Sequence, residues 1–246
     1  MNVHHSILVL TTVVLSVFKG IKLPLHFACT PNLSHLAPRT THHAPRSSLF
    51  ALRHSTVTFE IAATAARLIV EEGLEYGAAK RRAVKTLGLS GRAALPDNDE
   101  IEQEVLDYLA LFCADTQPGE LRALRELAVV WMERMAQFRP YLSGAVWRGT
   151  ATRLNDIYIQ MFCDDSKSAE IALIDYRVQY VPRSVTGFNG ETVDALSVHS
   201  FCRGLNEEVG VHLMVYDYDD LRGALKPDAR GRTARGDLPA VRRILD

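Results

Sequence analysis

The residues best suited to chemistry lie in one short stretch, residues 144–159, which contains two glycines and an aspartate followed by strand formers. Gly144 and Gly149 indicate turns, where glycine adopts backbone conformations that are strained for other residues. Asp156 follows at the start of the strand-forming run. This stretch therefore contains the candidate functional residues of the chain.

The same stretch resembles the signature of the nucleotidyltransferase superfamily, especially the minimal and antibiotic-modifying enzymes. In that signature a Gly-Ser turn is followed by a second glycine and then by Asp-x-Asp on a strand. Gly144, Gly149 and Asp156 match it, as does the run 148–151, and the resemblance extends over about residues 138–220. It implies a backbone turn against a nucleoside triphosphate and carboxylate-bound metal ions that promote in-line displacement at the α-phosphate. The nucleotide-binding residues that it implies are Gly144, Ala145, Arg148, Gly149, Thr150 and Asn155. The catalytic and metal-binding residue that it implies is Asp156.

Three positions depart from the family pattern. Ala145 stands where the serine of the turn belongs, Tyr158 where the second metal-binding aspartate belongs, and His212 where the third carboxylate is expected. A tyrosine is a neutral phenol with an ordinary pKa of about 10 and is a poor ligand for a hard ion. With one carboxylate of three, the sequence predicts weak Mg²⁺ binding, bridged by substrate phosphates, and weak or lost metal catalysis.

Two functions follow from this resemblance. The first is transfer of a nucleoside monophosphate from a nucleoside triphosphate to a hydroxyl on a small molecule, a protein or an RNA. Asp156 would then hold the metal, and Arg148 or the C-terminal arginines would neutralise phosphate charge. The alternative is a non-catalytic module on the same fold that senses nucleotides or binds a protein partner. A third interpretation remains open, in which Gly144 and Gly149 only form turns and Asp156 only starts a strand.

Other candidate residues predict less specific roles. His199 and His212 have no cysteine or acidic residue at metal-ligand spacing, which predicts ordinary core or surface histidines. Asp165 and Asp217 follow strand-like runs and are predicted to cap the next helical turns. The sequence contains neither a Gly-x(4)-Gly-Lys-Ser/Thr loop, which argues against a P-loop ATPase, nor a Gly-x-Ser-x-Gly elbow. The basic stretch 222–243 is predicted to be a solvated tail, with a phosphate or RNA clamp as the alternative.

The order of the predicted elements indicates an α+β fold. A helical N-terminal half is followed by a small nucleotidyltransferase-like mixed sheet with flanking helices. Apolar spacing and caps predict the helical half, and short runs of strand formers follow it. Helices are predicted over residues 56–72, 75–87, 98–114, 118–138, 166–176, 193–200 and 221–225 and from residue 238, and strands over 157–162, 178–181 and 209–216. The predicted regions are a leader over 1–53, a helical region over 54–138 and the nucleotidyltransferase-like domain over 139–246.

Composition limits the class of protein. The chain of 246 residues has a formal charge of −1 and 47% hydrophobic residues, which excludes a strongly basic nucleic-acid coat and an acidic tail protein. No acidic residue precedes Glu60, and the apolar run 7–18 is shorter than the roughly 20 residues that span a bilayer. The leader is therefore predicted to be disordered or outside the fold, with no membrane partner. Four scattered cysteines without metal-ligand spacing predict free thiols and a cytoplasmic protein.

Overall fold

The computed structural model of the chain describes residues 46–228 and 231–246. The predictions for residues 1–45, including the apolar run and Cys29, lie outside the described residues. The first helix, α1 (Arg46–Glu72), starts within the predicted leader, so residues 46–53 are helical. Cys113, Cys163 and Cys202 are free thiols, as predicted.

Three helices form the N-terminal layer: α1, α2 (Tyr76–Thr86) and α3 (Asn98–Phe112). Their apolar faces enclose a separate cluster that includes Ile61 and Ile101, both fully buried. The start of α3 is fixed by a capping box, in which the Glu100 amide donates to the Asp97 carboxylate at 2.7 Å and the Asp97 amide donates to the Glu100 carboxylate at 2.8 Å. The predicted cap at this acidic turn is confirmed.

The fourth helix, α4 (Gln117–Arg134), packs on the sheet instead of joining the helical layer. Its buried Leu124, Trp131 and Met132 belong to the same cluster as the interior strands. The helices and the sheet together form one compact unit, Arg46–Asp246. The helical region and the sheet are thus parts of a continuous fold.

A six-stranded mixed sheet forms the second half, with strand order β3-β4-β5-β2-β1-β6. The β2–β5 pair is parallel and each other neighbouring pair is antiparallel. The fold is therefore α+β, with helices first and a mixed sheet with flanking helices after them, as the sequence predicted. The strands are β1 (Tyr141–Ser143), β2 (Ile157–Cys163), β3 (Val181–Thr186), β4 (Thr192–Cys202), β5 (Glu207–Asp217) and β6 (Arg235–Asp237), and the helices are α5 (Gly144–Arg148), α6 (Ser166–Asp175), α7 (Leu221–Ala224) and α8 (Leu238–Arg243).

The two faces of the sheet carry different side chains, because successive residues of a strand point to opposite sides. On one face, alternate residues of the central strands join the main core under α4 and α6. These core-face residues are Ile157, Ile159, Met161, Leu196, Val198, Val211, Leu213 and Val215. The opposite face, which we call the cleft face, carries Tyr158, Gln160, Ala195, Ser197, His212, Met214 and Tyr216.

Several element predictions were wrong. The segment 193–200, predicted to be a short helix, lies within β4. The strand predicted at 178–181 instead starts at Val181, and β3 is an exposed edge strand. The strands β1 and β6, of three residues each, were not predicted. Runs of three residues are too short to show a period of two.

Candidate functional site

A cleft of about 960 Å³ opens over the cleft face of the sheet. Tyr158, Ser197 and His212 line it from the central strands, while Ile69 and Tyr76 line it from the ends of α1 and α2. Small-molecule sites commonly have volumes of about 300–1,000 Å³. The cleft is therefore large enough for a ligand of nucleotide size, and both the helical layer and the sheet contribute walls.

Six of the seven residues predicted from the sequence line this one cleft. They belong to the segment that connects β1 to β2, and the chain returns through them to the end of the sheet where β2 begins. The six residues are Gly144, Ala145, Arg148, Thr150, Asn155 and Asp156. Their proximity places the β1–β2 connection at the centre of the candidate site.

Both glycines of the motif have left-handed backbone conformations, with φ of +71° at Gly144 and +90° at Gly149. Such values favour glycine. Gly144 starts α5 at the cleft, whereas Gly149 is the C-cap of that helix. A Cβ at Gly149 would lie 3.6 Å from Nη2 of Arg125, whose guanidinium donates to the carbonyls of Val146 and Trp147. In this geometry Gly149 ends the helix.

Arg148 connects the sheet region to the helical layer. Its Nε lies 3.7 Å from the Glu102 carboxylate, and its guanidinium lies 5.5 Å from the centre of the Tyr76 ring. Burial raises the pKa of the Tyr76 phenol, so this ring stays neutral beside the arginine. About a third of the Arg148 side chain remains exposed. The contacts with Glu102 and Tyr76 hold the Arg148 side chain in place, so that it supplies positive charge to the cleft.

Asn155 has a local structural contact. Its side-chain oxygen accepts a hydrogen bond from the Thr152 amide at 2.8 Å. The carbonyl of Thr152 in turn accepts from the Asn155 amide at 3.0 Å. Such mutual bonds close a tight turn just before the strand. Asn155 therefore fixes the loop that delivers the next residue, Asp156, to the cleft.

Asp156 lies directly before β2 and is held by two groups of β5. Its Oδ1 accepts from the Gly210 amide at 3.2 Å, and its Oδ2 lies 3.0 Å from Nε2 of His212. The His212 hydrogen bond, with the His212 charge and the Gly210 amide, holds the pKa of the Asp156 carboxyl below its ordinary value, although partial burial acts the other way. Asp156 is an ionised group and its side chain is 48% exposed.

A hydrogen-bonded chain continues from Asp156 through His212 to Ser197, whose Oγ lies 2.9 Å from His212 Nδ1. An ionised carboxylate only accepts, so Nε2 of His212 carries a proton; when the ring is neutral, Nδ1 accepts from the Ser197 hydroxyl. The Tyr158 ring packs on the histidine at 4.9 Å between ring centres. The sequence predicted an ordinary histidine at position 212 and did not indicate these contacts. Alternation along β5 nevertheless places the His212 side chain on the face opposite to the apolar core residues.

The residues present do not fit a two-ion metal centre. Among the described residues that line the cleft, Asp156 and Glu75 are the carboxylates, and the side chains beside Asp156 on the cleft face are Tyr158 and His212. Burial, with the nearby charges of Glu75 and Asp156, raises the pKa of the Tyr158 phenol, which favours its neutral form. Within residues 56–228 and 231–246, no group of three histidine, cysteine or acidic side chains is arranged to hold a metal.

The aspartates farther along the chain cannot complete such a centre. Asp165 accepts from the Lys167 amide at the start of α6, and Asp217 accepts from the Asp219 amide after β5. Both predicted caps are confirmed. They follow the far ends of β2 and β5, whereas Asp156 precedes β2, and a seven-residue strand separates the two ends by roughly 20 Å.

Arg235 is an unpredicted feature beside the cleft. It pairs with Ser143 in the β6–β1 ladder, in the same cross-strand row as Tyr158 and His212. Its exposure is 7%, and its Nε and Nη1 atoms have no hydrogen-bond partner among the described residues. The guanidinium carbon lies 4.2 Å from the centre of the Phe188 ring. Burial lowers the pKa of Arg235.

Comparison of this chain with protein-family models, curated proteins and solved structures gave no match. Among the described residues, no helix has the length and apolarity needed to cross a membrane. The site must therefore be interpreted from its own geometry.

Proposed function

We propose that this protein is nucleotidyltransferase-like and binds a nucleotide in the cleft, with weak or lost metal catalysis. The observation that carries the proposal is the convergence of the β1–β2 connection, including Gly144, Arg148 and Asp156, on one cleft of suitable size. Their roles in phosphate and metal contacts are those that the nucleotidyltransferase resemblance implies. Their common location supports a nucleotide as the ligand.

The lining of the cleft matches the mixed chemistry of a nucleotide. Arg148 and Arg183 offer guanidinium donors suited to phosphate oxygens. The rings of Tyr76 and Tyr158 offer flat apolar surfaces on which a base can stack. A nucleotide is therefore favoured over a purely apolar or purely anionic small molecule.

Within this proposal, binding without two-metal catalysis is the favoured form. Asp156 already accepts from His212 and Gly210, which leaves limited capacity for an ion. Mg²⁺ would be held by Asp156 together with phosphate oxygens of the ligand, and it would supply charge neutralisation there. The protein then acts as a nucleotide-sensing or protein-interaction module.

A second candidate is transfer of a nucleoside monophosphate to a hydroxyl, favoured by the Asp156–His212–Ser197 chain. In that reaction an acceptor oxygen bonds to the α-phosphorus, the bond to the leaving pyrophosphate breaks, and the hydroxyl proton must be accepted. A proton received at Ser197 can pass to Nδ1 of His212, whose imidazolium Asp156 stabilises. The acceptor would be a small molecule, a protein or an RNA.

Isothermal titration of the full chain with ATP and GTP, with and without Mg²⁺ or Mn²⁺, tests the proposal. We expect binding that persists without metal and that Arg148→Ala weakens at least tenfold. Asp156→Ala should remove whatever increase in affinity the metal provides. Asp175→Ala is the matched control, because this exposed residue ends α6 on the core side of the sheet. Absence of ATP and GTP binding by the wild-type protein would overturn the proposal.

The same samples separate the two candidates. Incubation with radiolabelled ATP and release of labelled pyrophosphate, lost in His212→Asn, would support transfer. Nucleotide binding with no pyrophosphate release in the presence of cellular RNA, protein and metabolite fractions would support the module.

A further inference from the structure

Arg235 is a buried cation without a counter-ion. Among the described residues it makes no ion pair, and two of its donor nitrogens, Nε and Nη1, lack an acceptor. A buried charge without a partner strongly destabilises a folded protein. Because almost all buried polar groups in proteins are hydrogen-bonded, an unpaired guanidinium indicates a missing acceptor.

The acidic residue nearest to Arg235 along this strand is engaged elsewhere. Asp237, on the same short strand, accepts from the Ala240 amide at the start of α8. The Phe188 ring on the guanidinium face stabilises the cation by a cation–π contact but provides no hydrogen-bond acceptor. The acceptor must come from outside the chain as described.

The position of Arg235 relative to the cleft identifies where that acceptor enters. Phe188 and Tyr216 line the cleft, and the Phe188 ring stacks on Arg235 at 4.2 Å. Phe188 is 39% exposed and lies in the turn between β3 and β4. Arg235 is therefore behind the cleft wall, covered by a partly exposed ring in a loop.

We propose that Arg235 is the receptor for the terminal phosphate of a nucleoside diphosphate or triphosphate, reached when the Phe188 ring turns aside. A guanidinium presents paired N–H donors in a planar fork that matches phosphate oxygens. In this proposal a nucleoside monophosphate places its single phosphate at Arg148 and leaves Arg235 unoccupied. This inference rests on the proposed function for the nucleoside part of the ligand, but not for the phosphate chain.

The test combines calorimetric titration and thermal unfolding of the full chain, with sodium tripolyphosphate, ATP and AMP as probes. Arg235→Met keeps the length of the side chain but removes its charge. We expect this variant to bind tripolyphosphate and ATP at least tenfold more weakly than the wild type, while AMP affinity is unchanged. We also expect its melting temperature without ligand to rise, since an uncompensated charge is removed from the interior.

Three further variants make the result specific. Arg203→Met, at an exposed arginine in the turn between β4 and β5, is the matched control and should bind all three probes as the wild type does. Arg235→Lys should retain part of the tripolyphosphate affinity as a point charge. Phe188→Ala uncovers the guanidinium and should strengthen tripolyphosphate binding, which keeps the inference testable even if Arg235→Met does not fold.

The possible results separate this inference from the proposed function. If the wild type binds ATP and AMP but Arg235→Met binds tripolyphosphate and ATP equally well, the inference is wrong and nucleotide binding stands. If the wild type binds tripolyphosphate through Arg235 but neither nucleotide, the anion site stands and the proposed function is wrong. Failure of the wild type to bind any probe overturns both. A lowered melting temperature in Arg235→Met with unchanged binding assigns Arg235 a structural role.

Discussion

The two faces of the sheet are built from alternate residues of the same strands, yet their side chains differ in how completely they are satisfied. On the core face, Ile159 and Leu213 are fully buried among apolar neighbours under α4 and α6. On the cleft face, Ser197 and His212 depend on a chain of hydrogen bonds, and a buried oxygen of Gln160 has no partner among the described residues.

This difference separates stability from ligand binding. Apolar burial stabilises a fold in proportion to the area removed from water, whereas buried polar atoms without partners destabilise it. The core face therefore accounts for folding, and the cleft face holds buried polar atoms that lack partners among the described residues. We expect substitutions on the core face to change stability most and those on the cleft face to change binding most.

The largest expected effect is on the core face. Leu213→Ala removes a fully buried side chain and should lower the free energy of unfolding by about 3 kcal/mol, because it leaves a cavity in a packed core. Met214→Ala, one residue along β5 on the cleft face, should lower it by only about 1 kcal/mol, because Met214 is partly exposed. Urea unfolding measures both. Equal losses would show that the two faces do not differ in this way.

A smaller loss is expected from breaking the hydrogen-bonded chain. His212→Leu leaves the buried Ser197 hydroxyl without its acceptor and should lower the free energy of unfolding by about 1–3 kcal/mol. Adding Ser197→Ala should recover part of that loss, since the unpaired hydroxyl is then removed. His199→Leu, at an exposed position of β4, is the control and should change stability by less than about 0.5 kcal/mol. A double variant less stable than His212→Leu would contradict this account.

The contribution of Asp156 should depend on pH. Its pKa is held below the ordinary 3.8 mainly by the His212 hydrogen bond, so ionised Asp156 stabilises the folded state. This stabilisation is fully present above the unfolded pKa and is lost as pH falls through the lowered folded pKa. At pH 7 the free energy of unfolding of the wild type should exceed that of Asp156→Asn by less than about 1 kcal/mol, because the Asp156 side chain is half exposed. Chemical unfolding between pH 2 and 7 should show the difference shrinking with acidity, and a constant difference would contradict it.

The smallest expected change in stability comes from Gly210→Ala. A Cβ there would lie 2.6 Å from Oδ1 of Asp156, so the carboxylate must move. Because a half-exposed side chain can shift, we expect stability to change by less than about 0.5 kcal/mol. The acid-dependent difference attributed to Asp156 should nevertheless disappear, because its contact with His212 is displaced. Persistence of that difference in a Gly210→Ala background would show that the His212 contact does not cause it.

Much of the fold was predictable because it depends on local patterns. The periodic apolar residues of α2 and α3 and the cap at Asp97 indicated those helices within a few residues of their ends. β4 was not predictable in the same way. Residues 195–198 are buried on both faces, so the strand has no clean alternation and its apolar spacing was interpreted as a helix.

The candidate site likewise has residues that local sequence patterns indicate and contacts that they do not. Gly144 and Asp156 were found from local spacing, because turn glycines and strand-initiating acids have short-range signals. The Asp156–His212 contact could not be found, since it joins residues far apart in the sequence through the parallel pairing of β2 and β5. Arg235 was hidden for the same reason. It lay among seven basic residues of one stretch, and only the β6–β1 pairing distinguishes it from the others.

The shared walls of the cleft have a consequence for dynamics. Tyr76 and Glu75 at the start of α2 face the same space as the strands, although α2 belongs to a separate apolar cluster. A small molecule in contact with both walls would couple the motions of the helical-layer cluster and the main core of the sheet. Ligand binding would then slow hydrogen exchange at the amides of β2 and β5. It would also slow exchange along α2, at amides that do not contact the ligand.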